Sequence, residues 1–436
     1  MPKTLPLLWG DITYSTAQRE EKRNWIEAIV AHHLNLESPN SCWMDEVENW
    51  HHGSFNLCVL VVPGERVLLR FPLLYRVGDA FRPGKRDEKV RCEAGAYAWL
   101  EENCPDVPIL KLYGFSTSTG ETFTRLQNLP FLNCCFHYIP TSPASSWLGR
   151  PVPTHHISGD RVMGVGYLLI EYIEEEQGGM LSNTWPEKQH DIRLRTNFFR
   201  DLSRILLSVT GIPLPKISSF VIDHDGFLRL TNRPLSLEIQ DLENEEIPTN
   251  IPRDYTYSTV DSYIADILRI HDSRLRHQPN AINDTGDYIY QTSALAAMRT
   301  VYPSFFNPEL RHWHITSLVD LEWAYKAVDE IAEEPAEYDM MRRELDRTSA
   351  SDHGSLQLSS IMEENWRVGT FWYTLALASP TDLFTVFYKQ IQPRFIENCP
   401  EHDTFQQIMP CKLSDKKEYD IRLQQAFEGN TTTHWM

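Results

Sequence analysis

The first regular pattern along the chain is helical. Apolar side chains recur about every 3.6 positions over residues 15–34, which predicts an amphipathic helix there. The residues on its apolar face are Trp25, Ile26, Ile29, Val30 and Leu34. We interpret residues 1–45 as an N-terminal helical extension.

The next patterns are those of strands. Residues 57–62 and 67–71 are apolar and rich in strand-forming types, and the Pro-Gly pair between them is typical of a hairpin turn. A helix is predicted over residues 87–103, and an extended stretch follows it. Residues 167–173 have the composition of a buried strand. These elements predict a β-rich N-terminal lobe over residues 46–174.

The remainder of the chain has mainly helical patterns. An acidic run and two glycines follow residue 173, which indicates a lobe boundary, so residues 175–436 are predicted to form a helical C-terminal lobe. A hairpin is predicted over residues 220–230. Helices are predicted over residues 196–210, 260–271, 292–302, 336–347, 356–378 and 415–427. Residues 129–164 are predicted to be a loop, because they are rich in Pro, Ser and His.

Composition narrows the class of protein. The 436 residues are 42% hydrophobic and 11% aromatic, which predicts a folded chain with a large core. The net charge of -19 argues against a nucleic-acid partner. It either favours a cationic substrate or reflects a solvated acidic surface. The eight cysteines do not have the spacing of a disulfide framework or of a structural metal site.

Targeting and membrane signals complete this picture. The apolar run at the N-terminus is too short for a signal peptide, and no apolar run reaches the length that spans a membrane. From these observations we expect a cytoplasmic protein with no membrane partner.

Six short segments occur in an order that resembles a known family. They are residues 53–56, 69–72, 88–93, 168–173, 230–235 and 319–323. Together they resemble the fungal branch of the aminoglycoside phosphotransferase-like family. The resemblance implies an α+β, two-lobed, protein-kinase-like fold with a small antiparallel β N-lobe and a mostly helical C-lobe. It also implies ATP and Mg²⁺ as cofactors and the hydroxyl group of a small molecule as the phosphoryl acceptor.

The resemblance assigns roles to residues on the nucleotide side. Gly53 and Ser54 lie where backbone N–H groups approach phosphates, although an ordinary β-turn has the same residue types. Arg70 takes the position of the lysine that holds the α- and β-phosphates, and Glu93 is its expected ion-pair partner. The alternative for this pair is a surface salt bridge.

Two further parts of the site are implied in the same way. The backbone around Glu171 and Ile173 is expected to contact the adenine ring, while a plain core strand predicts the same side chains. Asp320 corresponds to the aspartate that binds Mg²⁺, and its alternative role is to cap the end of a strand.

The chain departs from the family in its catalytic loop. The family carries a catalytic Asp and a metal-binding Asn in a segment that would fall between His312 and Trp313, and this chain has no such segment. A second omission follows Ala324, so the C-lobe is shortened around residues 312–326. His314 is the remaining candidate for a base. The omission is either a true deletion or the product of splicing.

Three functions remain open from the sequence. The chain is a phosphotransferase with impaired activity, a pseudokinase-type binding or scaffold protein, or a small-molecule enzyme of secondary metabolism that reuses the cleft. The missing loop predicts weak or no turnover of ATP even where ATP binds, because that loop supplies a base and a metal ligand.

Overall fold

The chain folds as an antiparallel sheet followed by a mostly helical region. The computed structural model describes residues 16–53, 55–64, 66–73, 76–128, 154–158, 165–212, 214–306, 343, 358–379, 382–395, 414 and 416–423. Within them the strands are β1 (Trp43–Met44), β2 (His51–His52), β3 (Asn56–Val62), β4 (Val67–Pro72), β5 (Leu112–Ser116), β6 (Glu121–Arg125), β7 (Thr154–Ser158), β8 (Tyr167–Glu171), β9 (Ser219–Ile222) and β10 (Leu228–Asn232). The helices are α1 (Thr16–His33), α2 (Lys85–Asn103), α3 (Leu181–Lys188), α4 (Ile192–Thr210), α5 (Leu237–Asn244), α6 (Val260–His277), α7 (Thr285–Val301), α8 (Leu358–Val368), α9 (Thr370–Ala378) and α10 (Leu383–Val386).

The described strands β1 to β8 form one antiparallel sheet. Their order is β1-β3-β4-β8-β5-β6-β7, with β2 also paired to β3. The six strands other than β1 and β2 have five to seven residues each. Strand β8 lies between β4 and β5, so the chain returns to the middle of the sheet after forming one edge. Strand β7 falls within the stretch that the sequence predicted to be a loop, and it pairs with β6.

The sheet is covered by a helix on each face. Because side chains alternate along a strand, Val59, Leu69 and Leu169 share one face, on which they pack with Ile26 and Val30 of α1. The helix that the sequence assigned to an N-terminal extension is therefore part of the core of the sheet. Leu168 lies on the opposite face and packs against α2.

Helix α2 is also covered on its outer side. The hairpin formed by β9 and β10 comes after residue 174, yet Ile222 belongs to the same apolar cluster as Val90 and Ala94 of α2. Gly95 permits this approach, because a Cβ atom there would lie 2.9 Å from backbone atoms of Phe220 and Val221. The helix is thus enclosed between the sheet and the hairpin.

The helices after the hairpin share a separate core. Ile239, Ile267, Leu295 and Trp372 belong to one large buried cluster drawn from α5, α6, α7 and α9. Their starts are set by local sequence, since the side chains of Ser236, Thr259 and Asp284 accept backbone N–H groups in the first turns of α5, α6 and α7. Among the described helices, none is long and apolar enough to cross a membrane.

Most predicted elements that fall on described residues are present, but the helix predicted over residues 260–271 extends to His277 and the one predicted over residues 292–302 begins at Thr285. The predicted helix over residues 356–378 is two helices, since Gly369 adopts a φ of +95° that ends α8 before α9 begins. The helix predicted over residues 336–347 lies outside the described residues apart from residue 343. The fold class is α+β, with the antiparallel sheet first and the helical region after it.

Candidate functional site

Gly53 forms the turn that connects β2 to β3. Its N–H donates to the carbonyl of Asn56 at 3.0 Å, which closes the turn. A Cβ atom at Gly53 would meet nothing within 4 Å, and its φ is outside the range that favours glycine. The fold therefore does not require glycine here, and the space beside the backbone is open. Ser54, the second residue predicted for this turn, lies outside the described residues.

Arg70 and Glu93 form an ion pair beside this turn. Nη1 of Arg70 donates to Oε1 of Glu93. Arg70 extends from β4 on the face that is covered by α2, and the side chains are 27% and 19% exposed. The prediction that their charged groups lie within reach of a salt bridge is confirmed. The phosphate-binding role of the pair stays a prediction.

Two polar neighbours hold the guanidinium of Arg70. With its side-chain amide in the orientation that satisfies both groups, Asn56 accepts from Nη2 at 2.7 Å and from Nε at 3.1 Å. The hydroxyl of Tyr97 also hydrogen-bonds Arg70, while burial and the charge of Glu93 raise the pKa of Tyr97 to about 12. Tyr97 is therefore a neutral hydroxyl at physiological pH, and the cluster has one cation and one carboxylate.

Cys58 is the cross-strand neighbour of Arg70 in the register of β3 and β4. Burial raises the pKa of its thiol, and the opposite charges of Arg70 and Glu93 act on it in opposite directions. The thiol is thus a neutral, half-buried side chain beside the ion pair.

An aromatic cluster lies at the end of β8 on the same face of the sheet. The ring of Tyr172 stacks on His51 with ring centroids 6.5 Å apart, and the guanidinium of Arg66 lies 4.6 Å from its centroid. Arg66 also pairs with Glu174. Side chains from β2, from the residue before β4 and from the segment after β8 therefore meet here.

The two residues predicted to contact adenine occupy different environments. The N–H of Glu171 donates to the carbonyl of Lys111 at 2.9 Å, and its carboxylate accepts from the N–H of Lys111 at 3.1 Å. The N–H group of Glu171 is thus engaged within the protein. Ile173 is 50% exposed just beyond the end of β8.

The sequence also predicted a metal ligand and a base. Asp320 and His314 lie outside the described residues, as do His312 and Trp313. Within the residues that the structure describes, no three His, Cys, Asp or Glu side chains are close enough to hold a metal ion. Asp320 and His314 therefore stay predictions from the sequence.

A shallow depression lies on the opposite face of the sheet. Its volume is about 230 Å³, and it is lined by apolar side chains of Leu34, Leu36, Pro63, Val67 and Tyr113. None of the predicted site residues lines it. It offers no charged group for a phosphate, so the ion pair remains the better candidate site.

One cluster near α2 had no counterpart in the sequence analysis. Arg233 is fully buried and pairs with Glu88 at the start of α2 and with Glu243 at the end of α5. A charged residue followed directly by Pro234 and Leu235 is the only local signal for it, since the two carboxylates lie 145 and 10 positions away.

Comparison of the chain with protein-family models, with curated proteins and with solved structures gives no match. The fold and the described part of the site define an α+β protein in which an arginine of the sheet pairs with a glutamate of the covering helix beside an open glycine turn.

Proposed function

We propose that this chain binds ATP through the turn at Gly53 and the Arg70–Glu93 pair, and that it is a phosphotransferase-like protein with little or no turnover. The observation that supports the proposal is the ion pair itself. In protein kinases a cation on the third strand binds the α- and β-phosphates beneath a glycine-rich loop, and a glutamate on the following helix pairs with that cation. Arg70 and Glu93 have the same succession of turn, strand and helix.

The residues around the pair suit a phosphate group. The guanidinium of Arg70 is a permanently charged, planar fork, and 27% of the side chain is accessible to a phosphate group. Glu93 and Asn56 fix the direction of that fork, so little side-chain freedom remains to be lost on binding. The open space beside Gly53 lets a ligand approach the backbone.

The catalytic side of the site is proposed to be incomplete. ATP, when bound, supplies the phosphoryl group, and the enzyme must supply a base and the metal ligands that position it. In this chain the segment that carries the catalytic Asp and the metal-binding Asn is missing between His312 and Trp313. Asp320 is proposed as the remaining Mg²⁺ ligand and His314 as the residual base. With these residues the protein is expected to bind ATP and to transfer its phosphate slowly or not at all.

Calorimetry with Mg-ATP tests the binding step. We expect Arg70→Met to weaken binding about 10- to 100-fold, since hydrogen bonds to charged groups contribute about 1.5–3 kcal/mol. Glu93→Gln should weaken binding less, because the cation remains. Arg299→Met is the control, because Arg299 forms an ion pair with Asp272 in the helical region, away from the proposed site.

Two results contradict the binding proposal. One is the absence of any heat of binding for the unmodified protein at millimolar Mg-ATP. The other is an Arg70→Met variant that binds as tightly as the unmodified protein, which would leave the pair as a structural salt bridge.

Release of labelled phosphate, with a panel of amino alcohols as acceptors, tests the catalytic step. We expect turnover far below the range of about 1–100 per second that is typical of kinases. Turnover within that range, and its loss in Asp320→Ala, would show that the chain is a competent enzyme. His314→Ala would then be the first variant to locate the base.

A further inference from the structure

Glu93 lies on helix α2. Contacts on the side of α2 that faces away from the sheet hold this helix in place. The backbone of β9 approaches Gly95 so closely that a Cβ atom there would lie 2.9 Å from it. Nη1 of Arg91 donates to the carbonyl of Ile222 at 2.7 Å, and Trp99 stacks on Phe220 with centroids 4.9 Å apart. The hairpin of β9 and β10 therefore contacts α2 over several of its turns.

A buried ion cluster attaches the start of α2 to the segment after the hairpin. Arg233 donates to both carboxylate oxygens of Glu88 at 2.8 and 3.0 Å, and to both oxygens of Glu243 at 2.7 and 2.9 Å. Its fifth N–H donates to the carbonyl of Ile251 at 3.1 Å. All five donors of the guanidinium are thus satisfied. This arrangement depends on the planar fork of arginine, which lysine does not have.

The cluster extends to other charges. Lys85, which is 1% exposed, lies 2.8 Å from Glu243, and Arg253 donates to Glu88 at 3.0 Å. The positive charges around Glu243 lower the pKa of its carboxyl to about 2 despite its burial. Separating buried partners of this kind leaves a charge without compensation, so the cluster resists any displacement of α2.

Glu88 and Glu93 are five residues apart on one helix, a rise of about 7.5 Å. A rotation or shift of the start of α2 therefore moves Glu93 relative to Arg70. The cluster acts at one end of the helix and the hairpin acts along it, so together they determine where Glu93 lies.

We propose that the β9–β10 hairpin and the Arg233 cluster are a built-in clamp that keeps Glu93 against Arg70 without any partner or modification. Arg233 and Gly95 are positioning residues of this clamp. The functional meaning of the clamp rests on the proposed nucleotide site, whereas the clamp itself is a property of the fold. Its consequence is a phosphate-binding pair that is assembled at all times rather than switched on.

A double-mutant cycle in urea unfolding tests the clamp without any nucleotide. The two changes are Arg233→Lys, which keeps the charge but loses the fork, and Glu93→Gln, which removes the pair. If the clamp positions Glu93, the unfolding equilibrium constant rises less in the double variant than the product of the two separate rises, by about fivefold or more. Distant sites that act independently multiply to within about twofold, and that result would overturn the proposal.

A milder variant covers the case in which Arg233→Lys does not fold. Gly95→Ala pushes the hairpin away from α2 while leaving every charge in place, and the cycle then pairs it with Arg70→Met across the helix. Gly178→Ala is the matched control, because a Cβ atom there would meet nothing within 4 Å. Coupling between Gly95 and Arg70, with none between Gly178 and Arg70, supports the clamp. Equal behaviour of the two glycine variants opposes it.

Binding of Mg-ATP to folded variants provides the functional readout. We expect the Kd to rise several-fold in Arg233→Lys, by no more than in Glu93→Gln, and to show no such rise when Glu93→Gln is already present, since Arg233 acts through Glu93. If the unmodified protein does not bind Mg-ATP, the proposed function fails and the unfolding cycle still decides the clamp. If it binds and Arg233→Lys leaves the Kd unchanged, the clamp is wrong and the proposed function stands.

Discussion

His33 is a fully buried histidine at the end of α1, and it predicts a loss of stability in mild acid. Its Nε2 contacts the hydroxyl of Tyr167 at 3.0 Å and its Nδ1 contacts Oγ1 of Thr124 at 2.8 Å. The ring fits because residue 114 is glycine, where a Cβ atom would lie 2.1 Å from Nδ1. Burial, and then the neighbouring His32, lowers the pKa of His33 to about 3.

The sign of the effect follows from the two protonation states. The folded-state pKa of His33 lies below the unfolded value of 6.5, so the unfolded chain takes up the proton first as the pH falls. The stabilising contribution is complete above pH 6.5 and declines below it. At pH 5 the decline extends over 1.5 pH units, and at 1.36 kcal/mol per unit it amounts to about 2 kcal/mol.

Urea unfolding at pH 7.5 and pH 5.0 measures this contribution. The free energy of unfolding should fall between pH 7.5 and pH 5.0, and this fall should be about 2 kcal/mol smaller in His33→Gln. The control is His277→Gln, which changes an exposed histidine of α6. If the free energy of unfolding falls by the same amount in His33→Gln as in the unmodified protein, the ring of His33 reaches solvent and the burial argument is wrong.

Three other predictions concern stability. Gly95→Ala should destabilise the protein by about 1–3 kcal/mol in urea unfolding, because the added methyl meets the backbone of β9, whereas Gly178→Ala should change the stability by less than about 0.5 kcal/mol. Arg233→Met should cost about 3–5 kcal/mol by removing the cation that two buried carboxylates share, and a cost near that of the exposed control Arg367→Met would refute the importance of the cluster. Burial raises the pKa of Glu238 from 4.5 to about 8, so its contribution is complete below pH 4.5 and declines as the pH rises through 8; thermal unfolding should show a loss of about 2 kcal/mol between pH 6 and pH 8 that Glu238→Gln removes.

Several local elements were predicted from sequence with small errors at their ends, whereas the helix predicted over residues 292–302 begins seven residues earlier, at Thr285, and the helix Leu237–Asn244 was not predicted. Residues 57–62 and 67–71 were predicted as strands, and the structure has Asn56–Val62 and Val67–Pro72. Residues 87–103 were predicted as a helix that begins two residues earlier, at Lys85. Periodicity and turn residues suffice here because the period of a strand or a helix depends only on neighbours along the chain.

Part of the candidate site was also accessible to sequence. The pairing of Arg70 with Glu93 was implied by the family resemblance, through their places on a strand and on the helix that follows it. Asn56 and Tyr97 were missed, because their contacts with Arg70 depend on the register of β3 against β4 and on the rotation of α2. The local sequence does not show whether an asparagine at the start of a strand contacts an arginine or faces water.

Only the tertiary structure decided which elements meet. The return of β8 to the middle of the sheet, the cover of the β9–β10 hairpin on α2, and the burial of Arg233 all join residues that are far apart in sequence. Arg233 and Glu88 are 145 positions apart. Because the partner is so distant in sequence, the local pattern predicts that such a charged residue is exposed. A buried charge is stable only when its partners are fixed around it, and long-range packing, rather than local periodicity, brings them there.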